Sequence, residues 1–299
     1  MTQQNRNRLL LVLILALPAA IFIGSIFYNG LSVPPLPPMP NPNGYDDLMK
    51  AAKMLAPDVG TYNATNVDEL QSVVLTDSAA LELARAGLQK KCRVPMDYNP
   101  HSTADAVRLP AMRYLACGFM AEGDLAEIRG HPEQATKSYL DVIRLANEVS
   151  RGGALVDQLV SIAVERGGTE ELQRLLPQLD AKTCRETAAT LETLDAQRQT
   201  WDDVMWQEHY WSHKAFPGIG PQIMRIMQYN SLKKTYATSK HDFEMQQTIT
   251  RELAIDFATR AYELDKGHSP AKVTDLVTNY LQTIPIDPAT GTNMVYLPK

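Results

Sequence analysis

The sequence predicts an all-α protein, and three observations support that prediction. Apolar residues recur at helical spacing over residues 45–265 and show little strand-like alternation. Aromatic residues make up only 7% of the 299 residues, whereas Ala, Leu, Glu and Gln are frequent, which favours helix over sheet. With 44% hydrophobic and 21% charged residues, the composition is that of a globular protein and excludes a disordered chain or a multi-span membrane protein. The net charge of -5 provides no electrostatic footprint for nucleic acid, so nucleic acid is not expected as a partner.

The first predicted element is a transmembrane helix over residues 9–27, which read LLLVLILALPAAIFIGSIF without a charged side chain. About 20 apolar residues are needed to cross the hydrocarbon core, so this run can serve as a membrane anchor. Arg6 and Arg8 precede it without an acidic residue, so the positive-inside rule makes residues 1–8 a cytoplasmic tail. The sequence thus predicts a single-pass protein of the bacterial inner membrane with a periplasmic domain. A cleaved signal peptide ending near Ala20 stays open as the alternative.

Residues 28–44 are predicted to form a proline-rich linker. Six prolines lie between positions 34 and 42. Proline at this density favours an extended polyproline II conformation of about 3.1 Å per residue. We interpret the segment as a stalk between the membrane and the helical domain; a ligand for an SH3-type groove is the alternative.

A helical domain is predicted over residues 45–265, because each segment carries an apolar stripe that needs a partner surface. The predicted helices cover 45–55, a short helix capped by Asn66, 78–91, 107–129, 132–151, 155–165, 170–179, 183 to about 213, and 241–265. Gly167-Gly168 is predicted to separate two of these helices, and Gly218, Gly220 and Pro221 to end another.

Residues 107–151 resemble one helical hairpin of the tetratricopeptide type. Large and small residues fall where such a hairpin places them, at Phe119, Gly123, Ala126, Gly130, Ala135, Tyr139 and Val142. The small residues let two antiparallel helices approach closely. No second copy follows at a period of about 34 residues, so we expect a helical-hairpin bundle, loosely solenoid-like, rather than a repeat array.

A closing segment is predicted over residues 266–299, with a short helix beginning at Pro270 and a small β-hairpin involving Asn293 to Leu297. The matching elements of a resemblance are Leu264-Asp265-x-Gly267-x-x-Pro270, Tyr280-Leu281-x-x-x-Pro285-x-Asp287-Pro288 and Tyr296. On these residues the segment resembles the C-terminal region of secretion pseudopilins and related anchored proteins. The start of the chain lacks the glycine–hydrophobic–glutamate processing motif of prepilins, so assembly into a pilus is not implied. The chain as a whole looks like an uncharacterised bacterial family of single-span, membrane-anchored, helix-rich proteins, and that resemblance implies no activity.

The strongest candidate for a chemical site is the segment 201–213, WDDVMWQEHYWSH. On a helix, Asp202, His209 and His213 fall within a narrow wedge, and two His residues spaced by four can chelate a transition metal. Tyr210 replaces the glutamate that follows the first His in zinc proteases, so a metal-dependent hydrolase is an alternative and not the main interpretation.

The same segment carries a predicted interaction surface, formed by Trp201, Trp206, Tyr210 and Trp211. Aromatic side chains are enriched at protein interfaces. The three tryptophans are spaced by five residues and so point in three directions around a helix, which disfavours a helix lying on a membrane surface.

Three cysteines and one basic cluster complete the candidate features. Outside the cytoplasm one disulfide could form among the cysteines, and small buried hydrophobes are the alternative. These residues are Cys92, Cys117 and Cys184. The basic cluster Lys90, Lys91 and Arg93 is interpreted as charge at a helix C-terminus.

The main hypothesis is a membrane-anchored, extracytoplasmic scaffold or interaction protein without catalytic activity, which binds the membrane through residues 9–27 and has an envelope protein as partner. No GxSxG, GxxxxGK[ST] or GxGxxG pattern occurs, and no cofactor is predicted. The alternatives are the metal-dependent hydrolase and a secretion-associated or pilus-associated component.

Overall fold

The computed structural model describes residues 36–56 and 67–295. These residues are predominantly helical, which confirms the all-α prediction. The α-helices are α1 Gly44–Met54, α2 Val67–Leu88, α3 Ala104–Ile128, α4 Pro132–Ser150, α5 Leu155–Leu175, α6 Ala181–Ala196, α7 Trp201–Ala215, α8 Ile219–Met227 and α9 Tyr229–Lys266. Short 3-10 helices follow at Leu176–Gln178 and Val273–Leu276. The predicted anchor, residues 9–27, lies outside the described residues. Residues 36–56 and 67–295 include no helix that is both long and apolar enough to cross a membrane.

Two large hydrophobic clusters and a small third one hold the helices together. The first joins helices α1 to α5 around the fully buried side chains of Tyr45, Leu81 and Phe119. The second joins α4, α5, α6 and α9 and includes Phe257, together with Tyr280 from the closing segment. Because α4 and α5 contribute to both cores, they link the two ends of the bundle.

The hairpin of α3 and α4 lies where the sequence predicts it. Gly130 has a positive φ of 76° in the turn, and Pro132 is the first residue of α4. A Cβ atom at Gly123 would lie 2.4 Å from the ring of Tyr139, so the absent side chain makes room for that ring. The Tyr139 hydroxyl donates a 2.8 Å hydrogen bond to Asp124, which fixes the ring against α3.

The separation predicted at Gly167-Gly168 is wrong, because both residues lie within the continuous helix α5. A Cβ atom at Gly168 would lie 2.9 Å from Ile143 Cγ1 and 3.0 Å from the carbonyl oxygen of Tyr139. The glycine therefore permits close helix packing and does not form a turn.

The single helix predicted from 183 to about 213 is also wrong, because the chain ends α6 at Ala196 and begins α7 at Trp201. Thr200 caps α7 by accepting from the Asp203 amide at 3.1 Å, and the Asp203 carboxylate accepts from the Thr200 amide in return. This capping box stabilises a new helix start, and apolar spacing alone does not detect it.

Two further boundaries differ from the prediction. Helix α2 covers Val67–Leu88 as one helix, where a short helix after Asn66 and a second helix over 78–91 were expected, and α9 begins at Tyr229 and not at 241. The predicted end of α9 is confirmed, since Gly267 follows it with a φ of 75°.

The described residues of the closing segment, up to 295, form no strand, and positions 296 and 297 of the predicted strand lie outside them. The described residues contain isolated bridges, one of them antiparallel between Ile286 and Asn293. Prolines on this stretch supply no amide donor for a ladder. The Asp287 carbonyl accepts from the Gly291 amide at 2.8 Å and the Asp287 amide donates to the Thr292 carbonyl at 2.8 Å, so a tight turn connects the two bridged residues.

Candidate interaction groove

A cavity of about 990 Å³ lies between residues 88–93, the C-terminal part of α4, residues 190–199 and the first turns of α7. A second cavity of about 950 Å³ lies between α3, α4 and the start of α6. Arg144 and Thr190 line both cavities. We refer to the first cavity as the groove.

Asn43 fixes one wall of the groove. Its buried side chain donates to the Arg93 carbonyl at 2.8 Å and accepts from the Arg93 amide at 2.9 Å. The same side-chain oxygen accepts from the Tyr45 amide and caps α1. The Gly44 amide also donates to the Lys91 carbonyl at 3.0 Å. The loop after α2 is therefore held rigidly where the proline-rich linker enters the bundle.

Arg93 lies at the rim of the groove, and contacts at its aliphatic part and at its guanidinium hold the side chain in place. Its side chain rests on Gly152, where a Cβ atom would lie 2.8 Å from Arg93 Cγ. Its guanidinium donates to the carbonyl of Pro37 at 3.0 Å. Within the described part of the chain, Arg93 makes no ion pair, and burial lowers the pKa of its guanidinium. It thus presents a preorganised cation near the end of the linker.

The linker is not a free stalk along its whole length. Pro37, Pro38 and Pro40 line the groove beside Arg93. These residues of the predicted stalk therefore lie against the bundle, and its positions 28–35 lie outside the described residues.

The floor of the groove is built by hydrogen bonds between the end of α4 and the segment after α6. Gln199 accepts from the Gly152 amide at 3.1 Å and donates to the Ser150 carbonyl at 3.0 Å. Arg151 donates to the Gln197 carbonyl at 3.0 Å. These bonds join the two segments and keep the cavity open.

Two neighbouring residues of α7 line the groove with unpartnered polar atoms. Trp206 Nε1 and Gln207 Oε1 are both shielded from solvent, and neither has a hydrogen-bond partner. Gln207 is only 5% exposed. A buried polar atom without a partner costs about 1–3 kcal/mol, so this pair of one donor and one acceptor requires an explanation.

The groove is electropositive in an acidic protein. Among its described lining residues, six are basic and two are acidic, whereas the chain has a net charge of -5. The basic residues are Lys90, Lys91, Arg93, Arg144, Arg151 and Arg198, and the acidic residues are Glu148 and Asp203. Four of the six basic residues pair with acidic side chains, namely Lys90, Arg144, Arg151 and Arg198, whereas Lys91 and Arg93 make no ion pair among the described residues. Lys91 and Arg93 are therefore the cations that a negatively charged ligand would contact.

The predicted metal ligands Asp202, His209 and His213 lie on α7. Asp202 and His209 are exposed, and the His209 ring contacts the edge of Tyr236. No group of three His, Cys, Asp or Glu side chains that could hold a metal ion occurs among residues 36–56 and 67–295, which include Asp202, His209 and His213.

The predicted aromatic surface is distributed over three places. Trp201 contacts the ring of Phe243 on α9, with 5.7 Å between ring centroids. Trp211 donates to the carbonyl of Asp97 at 2.7 Å. Tyr210 contacts Trp206, whose ring lines the groove. Of the four predicted interface aromatics, only Trp206 belongs to the groove.

The cysteines are free thiols in the structure. Cys92 and Cys184 are buried, and Cys117 is half-buried. Desolvation raises the pKa of Cys92 to about 12 and that of Cys184 to about 11. A reactive thiol needs a lowered pKa, so these two side chains act as small core residues.

Sequence reasoning missed Asn43, Gln207 and the role of Arg93. Their signal was local: Asn43 precedes a helix, and Arg93 belongs to the basic cluster with Lys90 and Lys91. Comparison of the chain with protein-family models, curated proteins and solved structures found no match. The function is therefore argued from the groove itself.

Proposed function

We propose that this chain is a membrane-anchored helical module that holds another protein of the bacterial cell envelope in its groove. The observation that carries the proposal is the unpartnered pair Trp206 Nε1 and Gln207 Oε1, on residues that line the same cavity as the preorganised Arg93. Arg198 Nε on this lining also lacks a hydrogen-bond partner, so a further molecule that reached these atoms would satisfy them.

The apolar run of residues 9–27 supports the anchoring part of the proposal. The linker then enters the bundle at Asn43, directly beside the groove. A partner bound there would be held close to the membrane-proximal end of the domain. This arrangement suits a scaffold that presents or positions an envelope protein.

The closing segment supports a narrower proposal, that the module belongs to a secretion system. This proposal rests on the resemblance of residues 261–299 to pseudopilin C-terminal regions. In this chain the segment packs on the bundle: Tyr280 donates to Asp265 at 3.0 Å, and the Gln282 amide donates to Glu192 at 3.0 Å.

The interaction is tested by quantitative affinity purification of the full chain from detergent-solubilised membranes. We expect a defined partner with the wild type and its loss with the Arg93→Gln/Trp206→Phe double variant. Trp211→Phe is the matched control, because Trp211 donates its indole N–H to Asp97 outside the groove. Equal recovery of all proteins with wild type and double variant would refute a groove-dependent interaction.

The anchor is tested separately on washed membranes. We expect the intact N-terminus to remain with the membrane fraction. A mature chain that starts near residue 21 would contradict the anchor and support the cleaved signal peptide.

A further inference from the structure

We infer that the groove binds an acidic polypeptide segment in an extended conformation. This inference rests on the proposed function and specifies the chemistry of the partner. It follows from the charge of the groove, from its unpartnered polar atoms and from the segment of this chain that already lies on its rim.

Two of the six basic residues that line the groove remain available to a ligand. Arg144 already pairs with Asp141, and Arg198 pairs with Glu165. Lys90 pairs with Asp47 at 2.5 Å and Arg151 pairs with Glu148 at 2.8 Å, so both are partly neutralised. Lys91 and Arg93 make no ion pair within the described residues, and both line the groove. Carboxylates of a partner would pair with these two cations. Because Arg93 is half-buried, solvent and salt screen its attraction to a carboxylate less than they would at an open surface.

An extended backbone fits the polar atoms of α7 that lack a partner. An extended chain exposes carbonyl and amide groups that are not used internally, whereas a helix does not. The indole N–H of Trp206 matches a backbone carbonyl and the side-chain oxygen of Gln207 matches a backbone amide. Both atoms are shielded from solvent, so the side chains of Trp206 and Gln207 must rotate before a partner can reach them. Arg93 already holds one backbone carbonyl of this kind, that of Pro37.

The test is a fluorescence-polarisation titration of the full chain in detergent micelles. The probe is a labelled peptide of alternating Glu and Pro, about ten residues long, which stays extended. A peptide of alternating Gln and Pro is the neutral control. We expect the acidic peptide to bind at least about tenfold more tightly, with an affinity that falls as salt is added.

Single variants locate the site. Arg93→Gln should weaken acidic-peptide binding about tenfold. Trp206→Phe keeps an aromatic ring but removes the indole N–H, and it should weaken binding about threefold. Lys272→Gln, an exposed lysine outside the groove, should leave binding unchanged. Equal binding of the acidic and neutral peptides, or equal effects of Arg93→Gln and Lys272→Gln, would overturn the inference.

Two outcomes separate this inference from the proposed function. If purification from membranes depends on Trp206 but the peptides show no charge preference, the acidic partner is wrong and the interaction function stands. If vesicles of anionic lipid bind through Lys91 and Arg93 while the acidic peptide does not bind, the groove is a headgroup site and the inference is overturned.

Discussion

Replacing Gly168 by alanine tests the packing of α5 against α4. A Cβ atom there would lie 2.9 Å from Ile143 Cγ1, 3.0 Å from the Tyr139 carbonyl oxygen and 3.2 Å from Val142 Cβ. One of these atoms belongs to the backbone of a buried helix and cannot move without shifting that helix. Overpacking of this kind costs about 1–3 kcal/mol. Alanine also stabilises a helix interior by about 0.5–1 kcal/mol relative to glycine, so the expected net loss is about 0–2.5 kcal/mol, with a central value of about 1 kcal/mol.

Gly167→Ala is the matched control in the same turn of the same helix. A Cβ atom at Gly167 would meet only the flexible end of Met120, with 3.3 Å to its sulfur. The helix propensity gain is the same at both positions and cancels in the comparison. The difference in the free energy of unfolding between the two variants is therefore the packing cost, about 2 kcal/mol.

The assay is thermal and urea unfolding of the full chain in detergent, followed by tryptophan fluorescence. For a domain of this size, 2 kcal/mol corresponds to about 4–8 °C in Tm. We expect Gly167→Ala to match or exceed the wild type and Gly168→Ala to melt below it. Equal stability of the two variants would refute the close approach of α5 to α4.

Three further predictions concern side chains around the groove and core. Asn43→Ala removes a helix cap and two bonds to the loop at residues 91–93, and should lower the free energy of unfolding by about 2 kcal/mol; unchanged urea unfolding would contradict this. Arg198→Met leaves the buried carboxylate of Glu165 without its cation and should lower the free energy of unfolding by about 3–5 kcal/mol. The double variant Arg198→Met/Glu165→Leu should be more stable than Arg198→Met in the same urea assay. Hydrogen bonding to Arg174 on α5 lowers the pKa of Glu127 below its ordinary 4.5. The stabilisation of the fold by this carboxylate is therefore present above pH 4.5 and is lost as the pH falls through the lowered pKa. Glu127→Gln should be less stable than the wild type at neutral pH and equally stable in acid, and a constant difference across pH would refute the assignment.

The all-α class and the hairpin of α3 and α4 could be predicted because they depend on local signals. Helical spacing, Pro132 at a helix start and glycines in turns act within a few residues of each other. Gly168 shows the limit of local signals, since a glycine in the sequence can indicate either a turn or a close contact between two helices. Only the position of Ile143, 25 residues earlier in the chain, distinguishes the two.

The groove could be predicted only in fragments. The basic cluster and Trp206 are visible in the sequence, but they lie more than 100 residues apart and meet only because the fold places the start of α7 near the loop after α2. Gln207 carries no signal at all, since its significance is a buried oxygen without a donor. Features of this kind depend on tertiary packing, and local propensity does not determine that packing.

The most direct test of the central claim is photo-crosslinking in intact membranes from a photoreactive amino acid in place of Gln197, which lines the groove and is exposed. The crosslinked peptides are then identified by mass spectrometry, with the same amino acid at Lys272 as the control position. The account predicts crosslinks from position 197 to a second protein, within an acidic segment, and none to that protein from position 272. Crosslinks from position 197 only to residues 28–44 of the same chain would contradict it, because the linker and not a partner would then be the occupant of the groove.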